Sequence, residues 1–421
     1  MDSGTISNNP NDNTSKGGLI FNITSTQALI PIENATINIY SSSEPTRQIE
    51  QIRTNDLGET ERIELPAPPI EYSEQPDEPR PYTDYNFEIS APNYTSIFIE
   101  GAQILPEVTA VQPVSMEPVV ISNETQEDIV IPDHTLYGDF PPKIPEDEVK
   151  PMDESGEIVL SRVVLPEYVV VHDGVPSDSS APNYYIRYTD YIKNVASSEI
   201  YATWPENTIY ANVLAIMSFT LNRVYTEWYR NQGYNFTITS STAYDQKFMF
   251  GRNVYENISQ IVDSIFNNFI SRPGIRQPLF TSYCNGTTVT CSGLSQWGSK
   301  YLGDEGYTPI EILRYYYGNN VFINSTDYVS GIPSSWPGSN LSRGSRSDKV
   351  RQMQEQLNRI AQNYPLIPRL SVDGVYGPRT EESVKVFQRV FGLPQTGVVD
   401  FPTWYKISQI YVGVSRIAEP S

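Results

Sequence analysis

Glu199 is the residue through which this 421-residue chain could do acid–base chemistry. It closes a run in which Tyr188, Ile192, Val195 and Glu199 recur at helical spacing, so a carboxyl stands at the end of an apolar stripe. Held against apolar and aromatic neighbours, a carboxyl keeps its proton to higher pH and can serve as a general acid. Solvated, or paired with a lysine, it does not, and periodicity alone does not choose between the two. Trp204-Pro205 then stops one helix and starts another, because proline is tolerated in a first turn. Val213, Met217, Leu221, Val224 and Trp228 give that second helix a wide apolar stripe. Cys284 and Cys291 flank the turn signal Asn285-Gly286 and could close a small disulfide loop or remain two thiols. A zinc site needs about four ligands, and His134 and His172, the two histidines, lie far from the cysteines in sequence. No metal and no cofactor is expected.

The elements that must position Glu199 read as a mixed α+β unit over residues 161–330. Tyr168–His172 and residues 235–239 look like strands, and residues 254–270 like an amphipathic helix ended by Pro273-Gly274. The string Glu199-Ile200-Tyr201-Ala202-Thr203-Trp204-Pro205 precedes a helix with Ala211. A second block, Gly293-Leu294-Ser295-Gln296-Trp297-Gly298, precedes the Tyr-rich stretch at 310–318. Together they resemble the stage II sporulation protein D (SpoIID) family of peptidoglycan lytic transglycosylases, over residues 165–323. The resemblance implies that Glu199 is the catalytic acid, partly buried by Tyr201 and Trp204, which are also expected to contact substrate. It makes Tyr283, Ser295 and Gln296 candidate polar groove contacts; the same residues could be packing or turn residues. Where the family carries Gln and later Arg-Thr-Tyr, this chain has Asn212 and Met217-Ser218-Phe219. A hydrolase would instead need a second acid, such as Glu206 or Asp245, to hold water. A non-catalytic wall-binding protein would need neither.

Charge divides the chain. Residues 1–160 hold 29 acidic and 7 basic residues, whereas residues 161–421 hold 21 and 22. An acidic first half and a neutral remainder argue for separable regions and against a nucleic-acid partner. No apolar run is long enough for a membrane span, and the polar start, MDSGTISNNPNDNTSKGG, is not read as a signal peptide. Residues 1–18 are expected to be a flexible tail. Residues 19–120 show short alternating strands separated by turns, as in a β-sandwich, and resemble transthyretin-type modules; their acidity suggests a chaperoning or inhibitory prosegment, the other reading being a plain surface-attachment module, and the acidic half, residues 1–160, could cover the groove. Residues 121–160, dense in Pro, Glu and Asp, read as an accessible linker open to proteolysis, above all at 122–128. Residues 331–340 read as a second linker.

Residues 341–421 carry Asp373-Gly374-Val375-Tyr376-Gly377-Pro378-Arg379-Thr380, Phe387-Gln388, Thr396-Gly397-Val398-Val399-Asp400 and Thr403-Trp404. These resemble the three-helix peptidoglycan-binding domain, with Thr380 expected as a helix N-cap. The fold class is therefore multidomain: an N-terminal β-sandwich, a central α+β SpoIID-like domain and a C-terminal three-helix domain. That order, with Tyr191–Ile200 and His134-Thr135-Leu136-Tyr137-Gly138, resembles the clostridial spore cortex-lytic enzymes. The resemblance implies a zymogen held in the spore, cortex peptidoglycan as partner and substrate, and activation by a serine protease at germination.

Overall fold

The computed structural model describes residues 15–119, 126–133, 136, 140–150, 162–330 and 336–415. Alternating apolar residues build the first layers. Strands β1 (Ser15–Ser25), β2 (Thr36–Ser41), β3 (Glu44–Arg53), β4 (Ile63–Ala67), β5 (Thr83–Ser90), β6 (Ser96–Ile104), β7 (Thr109–Met116) and β8 (Gln126–Val130) form two sheets. One runs β4-β1-β7, the other β3-β2-β5-β6-β8. Leu19, Phe21 and Ile23 from the first and Ile37, Ile39, Phe87 and Ile89 from the second are buried face to face, with Phe21 edge-on to Phe87 at 4.8 Å.

Two boundaries differ from the sequence reading. Strand β1 begins at Ser15, inside the expected tail, because Gly17 lets its backbone approach Leu105: a Cβ there would lie 2.1 Å from the Leu105 carbonyl. The expected linker is not open chain throughout. Residues 126–130 pair in parallel with β6, the Ile131 N–H reaches the Glu100 carbonyl at 2.8 Å, and residues 140–150 pack on the central unit. Main-chain pairing prevails over the local polarity. Of the stretch 122–128, residues 122–125 lie outside the described residues and 126–128 lie in β8.

The central unit contains β9 (Tyr168–His172), β10 (Asn183–Arg187), α1 (Tyr188–Glu199), α2 (Glu206–Tyr225), β11 (Ile238–Thr239), β12 (Val254–Tyr255), α3 (Glu256–Ile265), β13 (Asn268–Ser271), β14 (Tyr283–Cys284), β15 (Leu294–Ser295), α4 (Gln296–Asp304), α5 (Pro309–Tyr317) and β16 (Phe322–Ser325). Helix α2 is buried over most of its circumference, which marks it as the centre of the unit. The helix expected at 254–270 is shorter at both ends. Residues 254–255 become β12, which pairs with β7 and so adds a strand to the sandwich. Residues 268–271 become β13, since Ser218 on α2 accepts from the Ile270 N–H at 3.2 Å and donates to the Leu279 carbonyl at 2.9 Å. The sandwich and the central unit share one continuous core, which runs from Leu19 to Val321 and also takes in Tyr405 of the last helix.

Helices α6 (Asp348–Ile360), α7 (Pro378–Val390) and α8 (Phe401–Ser415) enclose a separate core of Val350, Leu357, Tyr376, Phe387, Trp404 and Ile407. Thr380 is not an N-cap. Pro378 takes the first helical position and Gly377 caps, so Thr380 lies within the helix, where Gln354 donates to it at 3.4 Å. Trp336, in the expected second linker, packs on Phe401 and Trp404; residues 331–335 lie outside the described residues. Among the described residues no helix is long and apolar enough to cross a membrane.

Candidate functional site

Glu199 is the last residue of α1, where helix carbonyls lack partners and the dipole is negative. An acid there needs donors, and three supply them. Oε1 accepts from the Lys247 N–H at 2.7 Å and, more distantly, from the Tyr283 hydroxyl at 3.4 Å. Oε2 accepts from Gln296 Nε2 at 2.9 Å, and the same amide reaches the Glu199 main-chain carbonyl at 2.8 Å. Gln296 thus caps the helix and holds the acid together. Glu199 is 7 % exposed.

Each donor is placed by local structure. Tyr283 and Gln296 meet because β14 and β15 run parallel, Tyr283 beside Leu294 and Cys284 beside Ser295. Cys284 and Cys291 are disulfide-bonded, closing the loop between those strands. Two glycines of the 293–298 block have no room for a side chain: a Cβ on Gly293 would meet the Ser282 carbonyl at 1.6 Å, and one on Gly298 the Tyr316 hydroxyl at 2.1 Å. Burial pushes the Tyr283 hydroxyl well above its usual range, helped by the Glu199 charge, so it remains a donor. The Lys247 N–H is aimed by its neighbour Asp245, which is fully buried and accepts from Arg223 Nε at 2.7 Å, the Tyr229 hydroxyl at 2.6 Å and the Thr239 N–H at 2.9 Å.

Sequence reasoning named six residues here, and the structure brings three together: Glu199, Tyr283 and Gln296. The other three lie elsewhere. Ser295 is the N-cap of α4, accepting from the Gly298 N–H at 2.9 Å. Tyr201 and Trp204 form an aromatic cluster with Trp297, at 5.7 and 5.0 Å between centroids, facing the sandwich. Trp204 Nε1 donates to the Ser73 carbonyl at 2.9 Å, and the Leu136 N–H donates to the Tyr201 hydroxyl. Asp245, considered above as a second acid, has its oxygens committed to these donors, and Glu206 is exposed in the first turn of α2. His172 stacks on Phe236 and contacts Asn183 at 2.8 Å.

Sequence reasoning missed Lys143 and Thr242. Lys143 sits on residues 140–150, and its ammonium enters the pocket beside Glu199, donating to the Asp245 carbonyl. The residue as a whole is half-buried, its charged end enclosed. Burial pulls the ammonium below the ordinary lysine range, and the charges of Glu199 and Asp245 offset part of that effect. A signal existed: no other basic residue stands between Arg80 and Lys150.

Residues 346–407 match the family model described as a putative peptidoglycan binding domain. A stretch of 77 residues, 18 % of this chain, is 39 % identical to the zinc D-Ala-D-Ala carboxypeptidase of Streptomyces albus G, covering 28 % of that protein. Among solved structures, 3-chlorocatechol 1,2-dioxygenase from Rhodococcus opacus 1CP aligns at a TM-score of 0.16 and 8 % identity, over 29 % of this chain and 62 % of that one. Catechol 1,2-dioxygenase from Acinetobacter sp. ADP1 aligns at 0.15 and 16 %, over 32 % and 57 %. The chain thus spans less than two thirds of each of these proteins. The C-terminal helical unit thus matches a peptidoglycan-binding domain, and that match together with the carboxypeptidase similarity supports a cell-wall-related protein.

Proposed function

We propose that the central unit is a lytic transglycosylase that cleaves cortex peptidoglycan between N-acetylmuramic acid and N-acetylglucosamine, delivered by the C-terminal module. The observation that carries this reading is a single acid: Glu199 is the one carboxylate lining its pocket among the described residues. Conventional glycosidases need two carboxyl groups, about 5–9.5 Å apart. A transglycosylase works with one. Glu199 gives its proton to the glycosidic oxygen as the C1–O bond breaks. As carboxylate it then takes the proton of the muramic C6 hydroxyl, whose oxygen bonds to C1 and closes a 1,6-anhydro ring. No water enters the bond, so one group acts as acid and then as base. Gln296 and the Lys247 N–H hold the carboxyl through both steps, and Tyr283 lies within reach of the incoming sugar.

The resemblance to cortex-lytic enzymes supports the further reading that this activity belongs to the spore, in a zymogen cut by a serine protease at germination. The test is digestion of purified cortex by the proteolysed protein, with products read by mass spectrometry. Anhydro products, about 18 Da lighter than hydrolytic ones by loss of one water, are expected. Glu199→Gln should bind cortex and release no muropeptides. Reducing-end products, or release by Glu199→Gln at the parent rate, would overturn the reading.

A further inference from the structure

The pocket at Glu199 has no room for a sugar. Its free space is about 30 Å³, enough for one or two waters, whereas ligand sites run to roughly 300–1,000 Å³. What fills it is the chain itself: Phe140, Pro141 and Lys143 form the wall opposite Glu199, Tyr283 and Gln296. The Lys143 ammonium lies 5.0 Å from the centre of the Tyr283 ring and is held by the Asp245 carbonyl. The segment is fastened along its length. The Ile144 N–H donates to the Ala243 carbonyl at 2.9 Å, and the Glu148 carbonyl accepts from the Phe280 N–H at 2.8 Å. Glu146 takes two hydrogen bonds from Arg223, at 2.8 and 2.7 Å, and one from Lys150 at 2.6 Å. Glu148 pairs with Arg272. Yet its outer side is open: Pro142, Ile144, Pro145 and Asp147 are exposed.

We propose that residues 140–150 are a strap that occupies the glycan groove of the uncut chain, with Lys143 seated where a sugar ring must lie, and that glycan and strap compete for the same space. This rests on the transglycosylase reading and names the contact that regulates it. The clamp is polar: it joins Glu146 to Arg223, which is buried on α2, and the half-exposed Glu148 to Arg272, so release of the strap breaks ion pairs rather than apolar packing. Upstream, the strap follows β8, an edge strand that pairs only with β6. A cut between β7 and β8 leaves residues 126–133 as the strap's upstream hold on the sandwich, through the β8–β6 ladder, the Ile131 N–H on the Glu100 carbonyl, Gln103 on the Pro132 carbonyl and Arg80 on Asp133. The inhibitory contact therefore belongs to the segment read from sequence as a linker, and it is basic where the prosegment is acidic.

The strap can be read without turnover. Lys150 precedes Pro151, so Lys143 is the single tryptic site in the strap, and cleavage after it, followed by mass spectrometry on the full chain, reports release. Glu146→Gln removes a charged clamp, for which cleavage about tenfold faster is expected. Muropeptide release from the uncut variant should rise by a similar factor. Glu148→Gln, at the half-exposed end, should give a smaller change in the same direction and stands in if Glu146→Gln does not fold. Full-rate release with Lys143 still protected would overturn the proposal, as would opening of Lys143 with no gain in release while the cut parent is active. If no form releases muropeptides, the activity reading falls, and the strap is judged on peptide-free glycan strands added to the uncut Glu199→Gln chain. Faster cleavage after Lys143 at saturating strands supports competition; unchanged cleavage overturns it.

Discussion

The N-terminal sandwich and the C-terminal helical unit meet the central unit in different ways. The sandwich has no core of its own: its apolar interior continues into that of the central unit, β12 completes its edge, and the Asn253 side-chain amide accepts from the Gln103 N–H at 3.0 Å and donates to the Gln103 carbonyl at 2.9 Å across the join. The C-terminal unit closes its own core. It touches the body through limited contacts, such as Tyr405 stacked on Phe266 at 4.3 Å and Asn363 and Tyr364 donating to the carbonyls of Ala28 and Leu29. The acidic composition of residues 1–160 suggested a detachable first half, but charge reports on surface, and the packing boundary lies instead near residue 336. A region can be cut from its neighbour in sequence and remain one body with it.

The largest consequence is for truncation. A chain starting at residue 126 leaves Tyr255, Ile258 and Phe269 without part of the core they share with the sandwich. It should lose cooperative unfolding and run as an aggregate by size-exclusion chromatography. Residues 336–415 alone should unfold in one sharp transition by circular dichroism. If the 126 chain folds well and the 336–415 piece does not, the comparison is reversed. Within the C-terminal unit, Phe387→Ala empties a fully buried position and should destabilise that unit by about 3–5 kcal/mol, leaving the transition of the body in place. Across the sandwich join, Asn253→Ala strips partners from Gln103 and should lower the body's stability by about 1–3 kcal/mol, with the C-terminal transition unmoved. Denaturant unfolding followed by unit-specific tryptophan signals would separate the two: Trp204 and Trp297 in the body, Trp336 and Trp404 in the helical unit.

The parts legible in the sequence were those whose signal is local. Alternation in residues 19–23, 35–40 and 85–89 announces sandwich strands, and the Asp373–Thr380 turn and Thr396–Asp400 announce the helical module. At the site, Glu199, Tyr283 and Gln296 could be named because motif spacing carries them. Tyr201 and Trp204 were expected, from the resemblance, to bury the acid and contact substrate, but which way a ring points is decided by Trp297 and Ser73, distant in sequence. Lys143 could be singled out as the one Lys or Arg between Arg80 and Lys150, but its place beside Glu199 could not be read, for the same reason. A proline-rich acidic stretch reads as open chain, and only the assembled α2, with Arg223 buried on it, offers Glu146 a partner strong enough to hold the stretch down. The disulfide likewise depends on β14 and β15 lying side by side.

The smallest expected effect concerns the strap clamp and its pH dependence. Burial alone would push the Glu146 carboxyl up, but hydrogen bonds and charge from Arg223 and Lys150 hold it below its ordinary value of 4.5. A carboxyl depressed in the folded state adds stability that is complete above its unfolded value and is lost as pH falls through its folded one. The melting temperature of Glu146→Gln should therefore lie below that of the parent by a constant interval from about pH 6 to about pH 8, and the two should converge below about pH 4. Because the clamp joins the strap to α2 of the body and not to the helical unit, only the body's transition should move. A shift of the helical unit, or an interval that widens toward acid, would mean that Glu146 holds the protein together by something other than its pairing with Arg223, and the strap would then be part of the core rather than a cover on it.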